Sequence, residues 1–151
     1  MNILVLGGSR FVGRAIVDAL VDRHDVTVLN RGTRSFSDER VRQLVADRTD
    51  PAQLGAVLGG QVYDAVVDVS GTEPLHVKNV LPALAWQGGS PYVYVSSAAV
   101  YDRTRAATPF RESDPDGGDG IWGDYGYNKA SCERLLRTAL GNRLIVLRPP
   151  A

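Results

Sequence analysis

Met1-Asn2-Ile3-Leu4-Val5-Leu6-Gly7-Gly8-Ser9-Arg10-Phe11-Val12-Gly13 opens the chain. Its first six residues form an apolar run in which β-branched Ile3 and Val5 favour an extended strand buried on both faces. Past the glycines, Ala15, Ile16, Ala19 and Leu20 recur at helical spacing, with Arg14, Asp18 and Asp22 on the opposite side. The unit is strand, glycine turn, helix. In that setting glycines let the backbone turn tightly and approach a pyrophosphate, whose charge is met by the free N–H groups and positive dipole end of the helix. A second strand, Asp25 to Leu29, follows at the distance this arrangement requires, so residues 7–13 (Gly7, Gly8, Ser9, Arg10, Phe11, Val12 and Gly13) are predicted to bind a dinucleotide.

Composition agrees with one domain built on that unit. The chain has 151 residues and is 44% hydrophobic, enough for a sizeable single core but not for two full domains. Seventeen basic and seventeen acidic side chains cancel, which removes the global field that draws a protein to nucleic acid or to an anionic membrane and points to a small-molecule partner. The single cysteine, Cys132, cannot close an intrachain disulfide, no Cys/His cluster has metal spacing, and the apolar start is too short for a signal peptide or a membrane span. A reducing cytoplasm is the expected setting.

The end of the second strand carries the next signal. A dinucleotide domain usually has an Asp or Glu there that accepts hydrogen bonds from the adenosine ribose 2′-hydroxyl. Here the sequence reads Asn30-Arg31-Gly32-Thr33-Arg34. Loss of the carboxylate removes a repulsion against a 2′-phosphate, and a guanidinium can pair with that phosphate through two parallel hydrogen bonds. NADP is therefore the expected cofactor, with NAD possible; Arg31 and Arg34 as solvated loop charges are the competing reading.

Further strands are predicted at Val41 to Ala46, Tyr63 to Val69, Tyr92 to Val95 and Arg143 to Leu147. Asp50 is placed to cap a helix whose first residue is Pro51. Pro74 opens another helix, which Pro82 should bend or shorten before Gly88-Gly89. The polar stretch from Tyr101 to Asp124 is long enough to be functional or mobile. A last helix, Tyr125 to Leu140, turns Leu135, Leu136, Ala139 and Leu140 inward. Strands alternating with helices imply an α/β doubly wound parallel sheet of the Rossmann type, with helices on both faces and strand order 3-2-1-4-5-6.

Three residues far apart in sequence carry the candidate chemistry. Tyr125 and Lys129 are one helical turn apart on one face, and Ser97 stands at the carboxyl end of the fifth strand, the edge where ligands bind in such sheets. A phenol titrates near pH ~10; a nearby ammonium favours the phenolate, which can then exchange a proton with a carbonyl or hydroxyl. Lys129 also has the reach to touch the nicotinamide ribose.

Gly7-Gly8-Ser9-Arg10-Phe11-Val12-Gly13, Asp47-Arg48-Thr49-Asp50, Val95-Ser96-Ser97-Ala98-Ala99-Val100-Tyr101, Tyr125-Gly126-Tyr127-Asn128-Lys129 and Arg148-Pro149 together resemble the ordered motifs of extended short-chain dehydrogenases/reductases. Within these the chain is similar to the NAD-dependent epimerase/dehydratase group, particularly members with a G-G-x-R-F-x-G turn. The resemblance implies that Ser97 polarises a substrate oxygen, that Tyr125 is the acid/base, and that Lys129 binds ribose and lowers the tyrosine pKa. It also implies that Asp47 accepts from the adenine amine, with Arg48 beside it, and that Val69-Ser70 lies against the cofactor. The function implied is the NAD(P)-binding part of an epimerase, dehydratase or reductase acting on a hydroxyl/carbonyl compound such as a sugar nucleotide.

The chain departs from the pattern in several places. Arg10 replaces the middle glycine of the turn. Asn128 replaces the serine before the lysine. Val69-Ser70-Gly71 stands where small-residue Leu-Ala-Ala is common, and no asparagine falls at the family's active-site position, Asn79 being the nearest. Relatives continue beyond the Arg-Pro turn into a substrate domain, so residues 1–151 are expected to be a cofactor half without it, with apolar surface that invites self-association. The alternative function is a non-catalytic cofactor-binding module, a redox sensor or scaffold, or an RNA binder like plastid stem-loop proteins with the same turn. An RNA role would want a basic face with exposed aromatics, which zero net charge disfavours.

Overall fold

The computed structural model describes residues 1–36, 38–86 and 88–150. Strands are β1 (Asn2–Leu6), β2 (Asp25–Asn30), β3 (Val41–Val45), β4 (Val62–Tyr63), β5 (Ala65–Asp68), β6 (Ala85–Trp86), β7 (Tyr92–Val95) and β8 (Leu144–Leu147). Helices are α1 (Phe11–Leu20), α2 (Pro51–Leu58), α3 (Pro74–Ala83) and α4 (Asp124–Leu140), with a 3-10 turn at Ala98–Val100. Six strands form one all-parallel sheet in the order β3-β2-β1-β5-β7-β8. Counting only those six in chain order, this is the expected 3-2-1-4-5-6. The other two, β4 and β6, make a separate parallel pair. The strand expected over 63–69 is thus split at Asp64, whose carboxylate accepts from the Asn2 N–H at 2.7 Å.

Alternation along β1 explains the layering. Ile3 and Val5 pack with Val17 of α1, Val26 and Val28 on one face. Leu4 and Leu6 pack on the other face with Leu54 and Leu58 of α2, Val77 and Val80 of α3, and Leu136 and Leu140 of α4. Fully burying each such side chain is worth roughly 1.5–3 kcal/mol, so the central strand is held from both sides. β1 sits where the strand order reverses, and the crevice beyond the carboxyl ends of β1 and β5 is where such folds place ligands.

Several local expectations need correcting. The buried side of α1 is Gly13 and Val17, with Leu20 partly covered, while Ala15 and Ala19 are exposed. In α4, Leu136 and Leu140 are buried and Ala139 is exposed. Helix α3 ends at Ala83, one residue after Pro82 and short of Gly88-Gly89. The cap of α2 is as expected: Asp50 accepts from Ala52 N–H and Gln53 N–H ahead of Pro51.

The long polar segment after the 3-10 turn is pinned at several points. Tyr101 bridges antiparallel to Asp116, Arg103 pairs with Asp119, and Phe110 stacks on Tyr101 at 4.6 Å. Arg148, just after β8, joins it to α4 by pairing with both Asp116 and Glu133. No described helix is long and apolar enough to cross a membrane.

Candidate functional site: a crevice at the carboxyl edge of the sheet

The glycine turn is shaped by close approach. Gly7 has φ +92°, and a Cβ there would collide with the Ser70 side chain. Only glycine meets both demands without strain. Helix α1 begins after Arg10, whose side chain makes no capping hydrogen bond, so its first-turn N–H groups remain available to an anion. Phe11 follows with φ +43° and is 89% exposed.

A cavity of about 650 Å³ opens beside this turn and runs over the ends of β2, β3 and β5. The sequence-predicted residues Gly7, Ser9, Arg10, Asn30, Arg31, Asp47, Arg48 and Ser70 all line it. Gly8, Phe11, Val12, Gly13 and Val69 do not: Gly13 is buried beneath the turn, and Val69 packs against the α1-side core. Thr72, Glu73 and His76 also line the cavity, and sequence reading did not pick them out.

Each lining group has a defined state. Asp47 accepts from the Thr49 N–H and hydroxyl with one oxygen, Oδ1, which holds its carboxyl below the ordinary range and leaves Oδ2 for another donor. Asn30 donates from Nδ2 to Ser9 Oγ at 2.7 Å, while its Oδ1 accepts from Gly32 N–H and Gln43 Nε2. The second strand therefore presents a committed neutral amide at the position where a carboxylate would meet a ribose. Burial and the Arg48 charge push the His76 imidazole below its ordinary value.

Arg48 forms the floor. Its two terminal nitrogens donate to the two oxygens of Asp68, each at 2.9 Å, and it also reaches Ser70 Oγ at 2.7 Å and the His76 carbonyl at 3.3 Å. Its Nε is buried with no partner. The sequence reading placed Arg48 on the cofactor; it lines the cavity, and most of its donors hold the cavity's walls. Burial alone would raise the Asp68 carboxyl, but the Arg48 guanidinium overrides it and holds that carboxyl below the usual carboxylate range. Asp68 also accepts from Tyr92 Oη at 2.7 Å and from the N–H groups of Ser70 and Gly71. A signal for it existed in the sequence: a lone Asp inside Ala65-Val66-Val67-Asp68-Val69 is a buried charge that requires a cationic partner. Asn79 donates to the Arg48 carbonyl at 3.1 Å, which assigns it to this floor.

The second group lies at the ends of β7 and α4. Gly126 packs so closely on the Ala99 carbonyl that any Cβ would overlap it, which seats α4 directly on the 3-10 turn that follows Ser97. Of the serine pair, Ser96 donates inward to Glu133 at 2.5 Å. Ser97 Oγ accepts from Ala99 N–H at 3.1 Å and keeps its own O–H to donate. Tyr125, in the first turn of α4, is 40% exposed.

Lys129, one turn along α4 from Tyr125, is enclosed by the fold. It is 1% exposed, and its ammonium donates to the carbonyls of Val95 at 2.7 Å and Gly71 at 3.0 Å. It stands 4.6 Å from the Tyr94 ring centroid and 6.0 Å from that of Tyr125. Burial pushes it below its ordinary lysine value, against the pull of Asp68. Two of its three N–H groups are thus spent on backbone carbonyls.

The tight Gly7 turn, the uncapped helix start and the half-used Asp47 carboxylate suit a dinucleotide laid across the switch point. Comparison with known proteins agrees. A UDP-glucose 4-epimerase from Erwinia amylovora is 27% identical over 164 aligned positions, which cover 91% of this chain and 48% of that protein. The UDP-Glc/GlcNAc 4-epimerase from Campylobacter jejuni matches in structure with a TM-score of 0.80 at 17% identity, over 97% of this chain and 52% of its own. The Bordetella bronchiseptica enzyme WbmG, solved in complex with NAD, gives 0.78 at 18% identity, over 98% and 52%. The two structural likenesses speak to the fold alone, and this chain spans about half the length of the relatives it matches. The sequence profile of the NAD dependent epimerase/dehydratase family matches residues 3–150; with the fold and crevice described above, the chain belongs to that family.

Proposed function

We propose that residues 1–151 hold NADP(H) in preference to NAD(H) and carry the proton-transfer groups of an epimerase, dehydratase or reductase acting on a hydroxyl/carbonyl compound of the sugar-nucleotide class. The backbone of residues 7–13 and the start of α1 hold the pyrophosphate, and Asp47 Oδ2 accepts from the adenine amine. Arg31 and Arg10 meet the 2′-phosphate. Bound there, the dinucleotide supplies the hydride-exchanging ring.

At the other end, Ser97 Oγ–H donates to the substrate oxygen, Tyr125 Oη exchanges the proton, and the remaining N–H of Lys129 orients the adjoining ribose. The Lys129 ammonium stands 6.0 Å from the Tyr125 ring centroid, on the same side of α4. Residues outside 1–151 select the substrate and close over Tyr125. The setting is a reducing cytoplasm, where the buried Cys132 stays a thiol.

One observation carries the cofactor choice: Asn30 stands in the carboxylate's place, tied to Ser9 and Gln43, while Arg10 and Arg31 line the same cavity. Exchanging Arg31 for Ala should cost about 1–3 kcal/mol in NADP+ affinity, the range for charge-assisted hydrogen bonds, and leave NAD+ nearly unchanged. Calorimetric titration of both cofactors into both proteins decides it. An equal loss for the two removes Arg31 from the site.

A further inference from the structure

One side chain of the edge strand holds the arch that carries Arg31 and Arg34. Gln43, on β3, donates from Nε2 to Asn30 Oδ1 and to the Arg34 carbonyl, both at 2.9 Å. Its Oε1 accepts from the Phe36 N–H at 3.2 Å. The near end of the arch is fixed again where Asn30 Oδ1 accepts from Gly32 N–H at 2.8 Å. At the far end the Phe36 ring packs against the α1-side core, with the Arg14 guanidinium 5.1 Å from its centroid. Arg31 and Thr33, between these pins, line the cavity, whereas Gln43 does not.

Such pinning bears unequally on the two cofactors. A cation on a loose loop must be ordered when it binds, and that ordering subtracts from affinity. A phosphate monoester draws on the arch through charge-assisted hydrogen bonds whose strength depends on geometry. A ribose 2′-hydroxyl carries no charge and draws on it far less. We infer that Gln43 is a specificity-determining positioning residue, holding the Arg31-to-Phe36 arch so that its cations are already placed for a 2′-phosphate. The inference rests on the 2′-phosphate reading given above and names the residue that enforces it.

Gln43→Met keeps the length of the side chain and removes its hydrogen bonds. NADP+ and NAD+ are titrated into wild type, Gln43→Met and Arg31→Ala, and a trypsin time course on the unliganded proteins follows cleavage after Arg31 and Arg34 by mass spectrometry. Gln43→Met should lower NADP+ affinity about threefold to tenfold, the range for losing the preorganisation of a short segment, with NAD+ held within about twofold. Cleavage after Arg31 and Arg34 should accelerate. The ratio of the two affinities cancels a general loss of folded protein, so a purely structural defect leaves it unmoved.

An unchanged ratio in Gln43→Met overturns the inference whatever Arg31→Ala does. A ratio that falls in Gln43→Met but not in Arg31→Ala removes Arg31 from the phosphate and keeps Gln43 as the strut, acting through Arg34. Gln43→Asn, which retains the amide one methylene short of its partners, gives the same ratio test should methionine fail to fold.

Discussion

At one end of the crevice, Arg48 and Asp68 form a buried bidentate pair that grips Ser70 and Gly71, and Arg10, Asn30, Arg31 and Asp47 stand around a formed cavity. At the other end, Tyr125 opens to solvent and Lys129 rests on two backbone carbonyls. The sheet repeats the contrast. β1 is covered on both faces, whereas on β8 the side chains of Ile145 and Leu147 remain 47% and 48% exposed. At the end proposed for the reaction, Ser97 keeps a free O–H while Tyr125 lies open, and positioning of a substrate there is a large part of catalysis.

The sharpest way to break this contrast is to remove the floor. Asp68→Asn leaves Arg48 buried without its counter-charge, which should cost about 3–5 kcal/mol, read by urea unfolding at neutral pH. The pH dependence has a definite sign. Asp68 has its folded carboxyl below the unfolded value of about 3.9, so its contribution is present above that value and is lost as pH falls through the folded one. The variant should lack that share of the acid sensitivity. Matching acid profiles in the two proteins would mean that Asp68 is not the anchor of the floor.

A smaller effect is expected at the turn. Gly7→Ala forces a side chain into positive φ against Ser70, a strain of about 1–3 kcal/mol, seen as a lower Tm together with weaker cofactor binding. A variant with wild-type stability and affinity would show that the close approach of Gly7 to Ser70 has no bearing on the site.

Much of this was legible in the sequence because it depends on local chemistry. The six sheet strands follow from their apolar runs, their order from the glycine turn after β1, and the cap of α2 from Asp50-Pro51. The orientation of α1 was not legible, since Ala15 and Ala19 are apolar yet small enough to be left in solvent while Gly13 and Val17 meet the sheet. Nor were the pairings that span distance. Arg48 with Asp68, Gln43 with Asn30 and Arg34, and Arg148 with Glu133 and Asp116 join residues on separate elements, and no spacing rule connects them. Lys129 was found by its spacing from Tyr125, but its two carbonyl partners come from the ends of β5 and β7 and exist only once the sheet has formed.

The central proposal is that the crevice beside the Gly7 turn holds the adenosine and pyrophosphate of the dinucleotide without help from the Tyr125 hydroxyl. Calorimetric titration of NADP+ into this chain and its Tyr125→Phe variant tests it most directly. The account predicts saturable one-to-one binding in both, with affinities that agree within about threefold, under 1 kcal/mol. Absence of saturable binding in the wild-type chain, or its loss in Tyr125→Phe, would contradict it.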